Sequence, residues 1–85
     1  MKISGKQLAA ARALLGWNQG HLAEAADVAL STIVTWELEQ HQPRQATIDR
    51  VRLAIEARGV EFLNGGQPGV RMKAKPEAER GTSAD

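Results

Sequence analysis

The chain has 85 residues and 9.2 kDa, 42% of them apolar and 25% charged; at this size folding buries roughly 60–65% of the extended chain's surface, enough for one modest core and no second. The balance is globular rather than disordered, and the absence of cysteine, with only His21 and His41 to offer imidazole, excludes a disulfide framework and leaves no metal-ligand spacing or cofactor chemistry. Eleven Lys and Arg against ten Asp and Glu give a net charge of +1, so any polyanion binding has to come from local placement of charge. No apolar run approaches the ~20 residues of a membrane span, and the opening residues lack the charged-then-apolar pattern of a secretory signal; the expectation is a cytoplasmic protein with no membrane partner.

In chain order, the first helix is expected over 4–15. Ser4 can cap it while Gln7 reaches back, the S-x-x-Q form of a capping box. Leu8, Ala11 and Leu15 supply its buried stripe at i, i+3, i+7, and Gly16 stops it. Asn18 caps a second helix of two turns that buries Leu22, Ala23 and Ala26 and breaks at Asp27. A third helix over about 30–40 carries Ile33 and Trp36, and a fourth over about 45–58 carries Ile48, Val51 and Ile55 before Gly59.

Beyond Gly59 the period changes. Val60 and Phe62 alternate with Glu61, Asn64-Gly65-Gly66-Gln67-Pro68-Gly69 supplies turn residues, and Val70 and Met72 alternate with Arg71, a β-hairpin over about 60–73. An isolated hairpin is marginal in water, so these apolar residues should lie against the helices or pair across a dimer interface. From Ala74 onward alanine is the only apolar type, and residues 74–85 read as a disordered tail. The fold class is therefore all-α: four helices with a C-terminal hairpin in one domain over 1–73.

The second and third helices, joined by Ala26-Asp27-Val28-Ala29, form the helix-turn-helix pattern, whose second helix can lie in a DNA major groove. Arg12-Ala13-Leu14-Leu15-Gly16-Trp17-Asn18-Gln19, Leu22-Ala23, Ser31-Thr32-Ile33 and Glu37 together resemble the phage-repressor and Cro type of helix-turn-helix regulator, the XRE family, over about residues 3–60. The resemblance implies a lambda-repressor-like domain that works as a sequence-specific transcriptional regulator, a repressor of its own or neighbouring genes. It further implies that Gln19 reaches a phosphate, with an exposed first-turn residue as the plainer alternative. Leu30, Ser31 and Thr35 would face base edges, Thr32 and Arg44 the backbone, and Arg12 would pair with Glu37. Operators for such an architecture are two-fold symmetric and a lone reading helix buries little, so a homodimer on a palindromic site is expected.

The chemistry of those positions tempers the expectation. Ser and Thr bond to several base edges and Leu can touch a thymine methyl, but none pairs bidentately as Arg does with guanine, so shape and backbone contacts should weigh more than direct readout. Between Arg12 and Arg44 there is no Lys or Arg, while Glu24, Asp27, Glu37 and Glu39 add four negative charges. Backbone contacts then fall to Arg44, His41, Gln19, Thr32, helix N-termini and Lys2 or Lys6, and the salt dependence should be shallow. Leu30, Val34 and Leu38 form a second apolar stripe at i, i+4, i+8, either a protein interface or packing under the following loop. Ala29 stands where relatives carry a capping Ser or Thr.

Other candidates carry less. Trp17 and Trp36 read as core, His21 as a solvated surface residue, and His41 as a phosphate contact or nothing. No acid and base are paired for catalysis, so the protein is not expected to be an enzyme. Gly65, Gly66 and Gly69 suit a turn better than a phosphate loop, and Arg71, Lys73 and Lys75 form a weak basic cluster whose default is solvation. The rival function is a protein-binding module, antiactivator or antitoxin-like, that turns the apolar third helix on a polypeptide through Leu30, Val34 and Leu38, with Val60 and Phe62 as a further contact.

Overall fold

A computed structural model of the protein describes residues 2–64 and 68–73. The expected turn at 65–67 and the tail at 74–85, including Lys75, lie outside the described residues. The element order is α1 (Gly5–Leu15), α2 (Gln19–Ala26), α3 (Leu30–Glu37), α4 (Gln45–Glu56), β1 (Val60–Leu63) and β2 (Gly69–Met72). Four helices and a small antiparallel hairpin thus make a mostly helical domain, and no helix among the described residues is long and apolar enough to cross a membrane.

Local chemistry accounts for the starts of the first two helices. Ser4 Oγ accepts from the Gln7 N–H at 3.1 Å and Gln7 Oε1 accepts from the Ser4 N–H at 3.0 Å, the reciprocal capping box. Asn18 Oδ1 accepts from the His21 N–H at 2.7 Å and opens α2. Neither Ala29 nor Arg44 places a side-chain cap on α3 or α4.

Three helices end in one device, a left-handed residue that folds the next amide back onto the last turn. Gly16 (φ 70°) closes α1, with the Trp17 N–H donating to Arg12 O at 3.0 Å; Asp27 (φ 57°) closes α2, with the Val28 N–H donating to Ala23 O at 3.0 Å. Glu39 (φ 61°) does the same for α3: the Gln40 N–H donates to Thr35 O and the Glu39 N–H to Trp36 O, both at 2.9 Å. This turn ends α3 at Glu37, three residues short of the expected boundary at 40, and α4 ends at Glu56 rather than 58. A left-handed residue other than glycine costs roughly 1–2 kcal/mol, and Glu39 offsets it by accepting the Gly5 N–H on its Oε2 at 2.7 Å, at the positive end of α1.

The core is built from Ile3, Leu8, Ala11, Leu22, Ile33, Trp36, Ile48, Val51, Ile55, Val60 and Phe62, with Ala23 and Ala26 filling the small positions. α1 lies against α3 and the hairpin, α2 against α3 and α4, and α4 against β1. Leu15, expected to be buried, is half-buried against this cluster. Trp36 is fully buried, and its indole Nε1–H donates to Ile3 O at 2.9 Å, which satisfies the one polar atom it carries inside. At Gly5 an added Cβ would stand 2.2 Å from Trp36 O and 2.8 Å from Glu37 Cα, so the start of α1 and the end of α3 meet at a distance only glycine allows.

Val60 opposes Met72 and Phe62 opposes Val70 in the hairpin. Val60 and Phe62 turn inward and are buried, Val70 is half-buried, and Met72 is half-exposed. The hairpin is therefore a lid on the helices, as its marginal stability alone requires. Of the two expected places for Val60 and Phe62, against the helices or at a contact with another polypeptide, the structure shows the first: both belong to the core, because β1 packs its apolar face against α1 and α4.

Candidate nucleic-acid interface

The rear of α3 is held at several points. Ile33 and Trp36 enter the core with no exposed surface. At its last residue, Glu37 receives Arg12 in a two-pronged pair, Nε to Oε2 at 2.6 Å and Nη2 to Oε1 at 2.8 Å, while Arg12 Nη1 also donates to Trp17 O at 2.9 Å. The Glu37 side chain keeps 8% of its exposure and Arg12 20%. This hydrogen bond with Glu37 holds the Arg12 guanidinium above its ordinary value, so it stays charged at any working pH. Gln19 Nε2 donates to Glu37 Oε1 at 3.1 Å, so one carboxylate joins α1, α2 and α3. From α4, Arg50 Nη1 donates to Asp27 O at 3.0 Å and secures the turn between α2 and α3.

With its back fixed, α3 turns the opposite face outward. Leu30 is 50% exposed and the C-cap residue Leu38 60%; Ser31 is exposed, and Val34 and Thr35 are half-buried. The Thr35 hydroxyl donates back into the helix, to Ser31 O at 2.9 Å and more distantly to Thr32 O at 3.4 Å. The Ser31 hydroxyl makes no hydrogen bond among the described residues. Thr32, expected to face a phosphate, is half-buried, while His41 and Arg44 are exposed.

Of the residues expected at a DNA surface, Leu30, Ser31 and Thr35 thus share one face, His41 and Arg44 lie on the exposed segment leading to α4, and Gln19 is drawn toward Glu37. One of the two N–H groups on Gln19 Nε2 is engaged by Glu37, which anchors the side chain beside α3. The stripe of Leu30, Val34 and Leu38 stays largely uncovered at its two ends rather than packing under the following loop.

The acidic balance is also milder than a count suggests. Glu37 is neutralised by Arg12, and Glu39 is directed at the N-terminus of α1. Only Glu24 and Asp27 of the four acids in 13–43 keep exposed side chains without such partners. Elsewhere, half-buried Trp17 stacks on His21 with ring centroids 4.6 Å apart, and the Arg58 guanidinium lies 5.6 Å from the Trp17 ring centre, which makes Trp17 the covered edge of the core.

Four residues matter that composition and spacing do not single out in this role. Gln7, 6% exposed, donates from Nε2 to Leu63 O at 3.2 Å, Asn64 Oδ1 at 2.9 Å and Gly69 O at 3.2 Å, tying both strands to α1. Asn64 in turn donates from Nδ2 to Lys2 O at 2.7 Å. Glu39 and Arg50 fix the two turns that flank α3. Only Gln7 had a visible signal, its place in the capping box, and that signal explains a different bond.

The chain matches no protein-family model and no curated protein.

Proposed function

We propose that this protein is a DNA-binding transcriptional regulator of the phage-repressor helix-turn-helix type, a repressor acting as a dimer on a palindromic operator. The observation that carries the reading is α3 itself: buried at Ile33 and Trp36, tied to α1 and α2 through Glu37, and exposed at Leu30 and Ser31 with Val34 and Thr35 half-buried beside them. A rigid, back-supported helix with a bare face after a short left-handed turn is what insertion into a major groove requires. The first-turn amides of α3 and α4 have no side-chain caps, and Arg44 is exposed at the start of α4; both suit contact with phosphates.

Retention of the gene's own upstream region against a random duplex at about 100 mM salt tests this. The upstream fragment should be held more tightly; equal or absent retention refutes the reading. If about three or four cationic side chains per subunit meet phosphates, log affinity should fall against log salt with a slope of about 3 per subunit.

A second reading, a polypeptide-binding module, is favoured by the exposure of Leu30 and Leu38 at 50% and 60%. Leu38→Lys separates the two. It should abolish docking of a polypeptide on the stripe, yet leave DNA retention intact or raise it by adding a cation at the end of the reading helix.

A further inference from the structure

Resting on the DNA reading above, we infer that the α3 face selects its site through thymine methyl groups, with Leu30 and Val34 as the specificity-determining residues. Four side chains compose the first two turns of that face. Leu30 and Val34 offer only methyls. Thr35 has its one hydroxyl proton committed to Ser31 O at 2.9 Å, so what remains to it is a methyl group and acceptor lone pairs. Ser31 alone brings an unengaged donor, and no Lys or Arg occurs between Arg12 and Arg44 to reach a guanine.

The major groove floor presents one methyl group, the C5-methyl of thymine, among edges dominated by hydrogen-bond donors and acceptors. A donor-poor face pressed onto guanine would strip water from N7 and O6 and return nothing. The same face over thymine exchanges two hydrated apolar surfaces for contact. Although exposed Glu24 and Asp27 leave the helix-turn-helix unit short of positive charge, the groups at the two ends of α3 suit duplex DNA as the occupant. Glu37 and Glu39, the acids at the end of α3, are directed into α1, whereas uncapped amides open α3 and Arg44 stands exposed at the start of α4.

The test uses the full chain and a pool of randomised duplexes, selected at about 100 mM salt. Enriched sites are resynthesised with deoxyuridine in place of thymidine one position at a time, a change that removes only the methyl. At contacted positions each replacement should weaken binding about fourfold, the loss expected for one buried methyl. Leu30→Ala and Val34→Ala, first checked for native helicity, should bind thymine and uracil duplexes equally well, an effect that a general loss of stability would not produce. Enriched sites indifferent to uracil would overturn the methyl readout and leave the DNA reading standing. Failure to enrich any duplex would overturn both and leave the stripe to a polypeptide.

Discussion

Replacing Arg12 by Met should unfold the protein more readily than its surface position suggests. Glu37 would keep only the Gln19 amide, at 8% side-chain exposure. Removing one partner of a fully buried pair costs about 3–5 kcal/mol; because Arg12 keeps 20% exposure and water can approach, the lower end, about 3 kcal/mol, is expected. For a domain of this size that lowers the melting temperature by roughly 12–24 °C. Glu37→Leu should cost less, about 1–2 kcal/mol, because the freed guanidinium can turn to solvent. The double variant, which replaces the pair by apolar groups of similar volume, should cost no more than about 1 kcal/mol, leaving a coupling of about 3–5 kcal/mol. Urea titrations followed by tryptophan fluorescence at pH 7 give all four stabilities. Single costs below about 0.5 kcal/mol that simply add would refute the joint as a determinant of how α3 is held. Arg12 is held above its ordinary value, so its stabilisation is complete below the unfolded-state value and is lost only as pH rises through the still higher folded one. No arginine-linked loss should therefore appear up to about pH 10.

Gly5→Ala should cost about 2–3 kcal/mol in the same titration, since its Cβ would meet Trp36 O at 2.2 Å and must push α1 from α3; a change under about 0.5 kcal/mol would mean that the contact relaxes freely. Gln7→Leu should cost about 2 kcal/mol and speed amide exchange in β1 and β2 but not in α3, because it strands Leu63 O and Gly69 O; uniform acceleration would argue against a hairpin tether. Ala29→Ser, at a backbone already extended with φ −67° and ψ 143°, should add a cap and stabilise by about 1 kcal/mol. If the α3 amides meet phosphate, the same change should weaken DNA retention, whereas unchanged retention would remove those amides from the interface.

Much of this architecture is written in short-range patterns. The capping box at Ser4 and Gln7, the Asn18 cap, the stops at Gly16 and Asp27, the 3.6-residue periodicity of the helices and the alternation after Gly59 each act over a few residues, so the elements and nearly all their boundaries are legible without a tertiary structure. The Arg12–Glu37 pair came from the family resemblance and is present as a two-pronged bond. The early end of α3 was not legible, since a left-handed Glu39 has no local signature; its carboxylate finds Gly5, 34 residues away, only after α1 and α3 have packed.

The surface was harder to read than the fold. Apolar alternation leaves Val60 and Phe62 either against the helices or at an interface, and packing puts them in the core; nothing local shows that Gln19 donates to Glu37. Thr35 looked like a donor to bases until the helix consumed its proton. Which segments become helix and strand is set locally, because caps, periods and turns act between residues a few positions apart. Which polar and apolar groups remain for a partner depends on long-range packing, because a donor or a methyl is available outside only when no neighbour from a distant segment has already taken it.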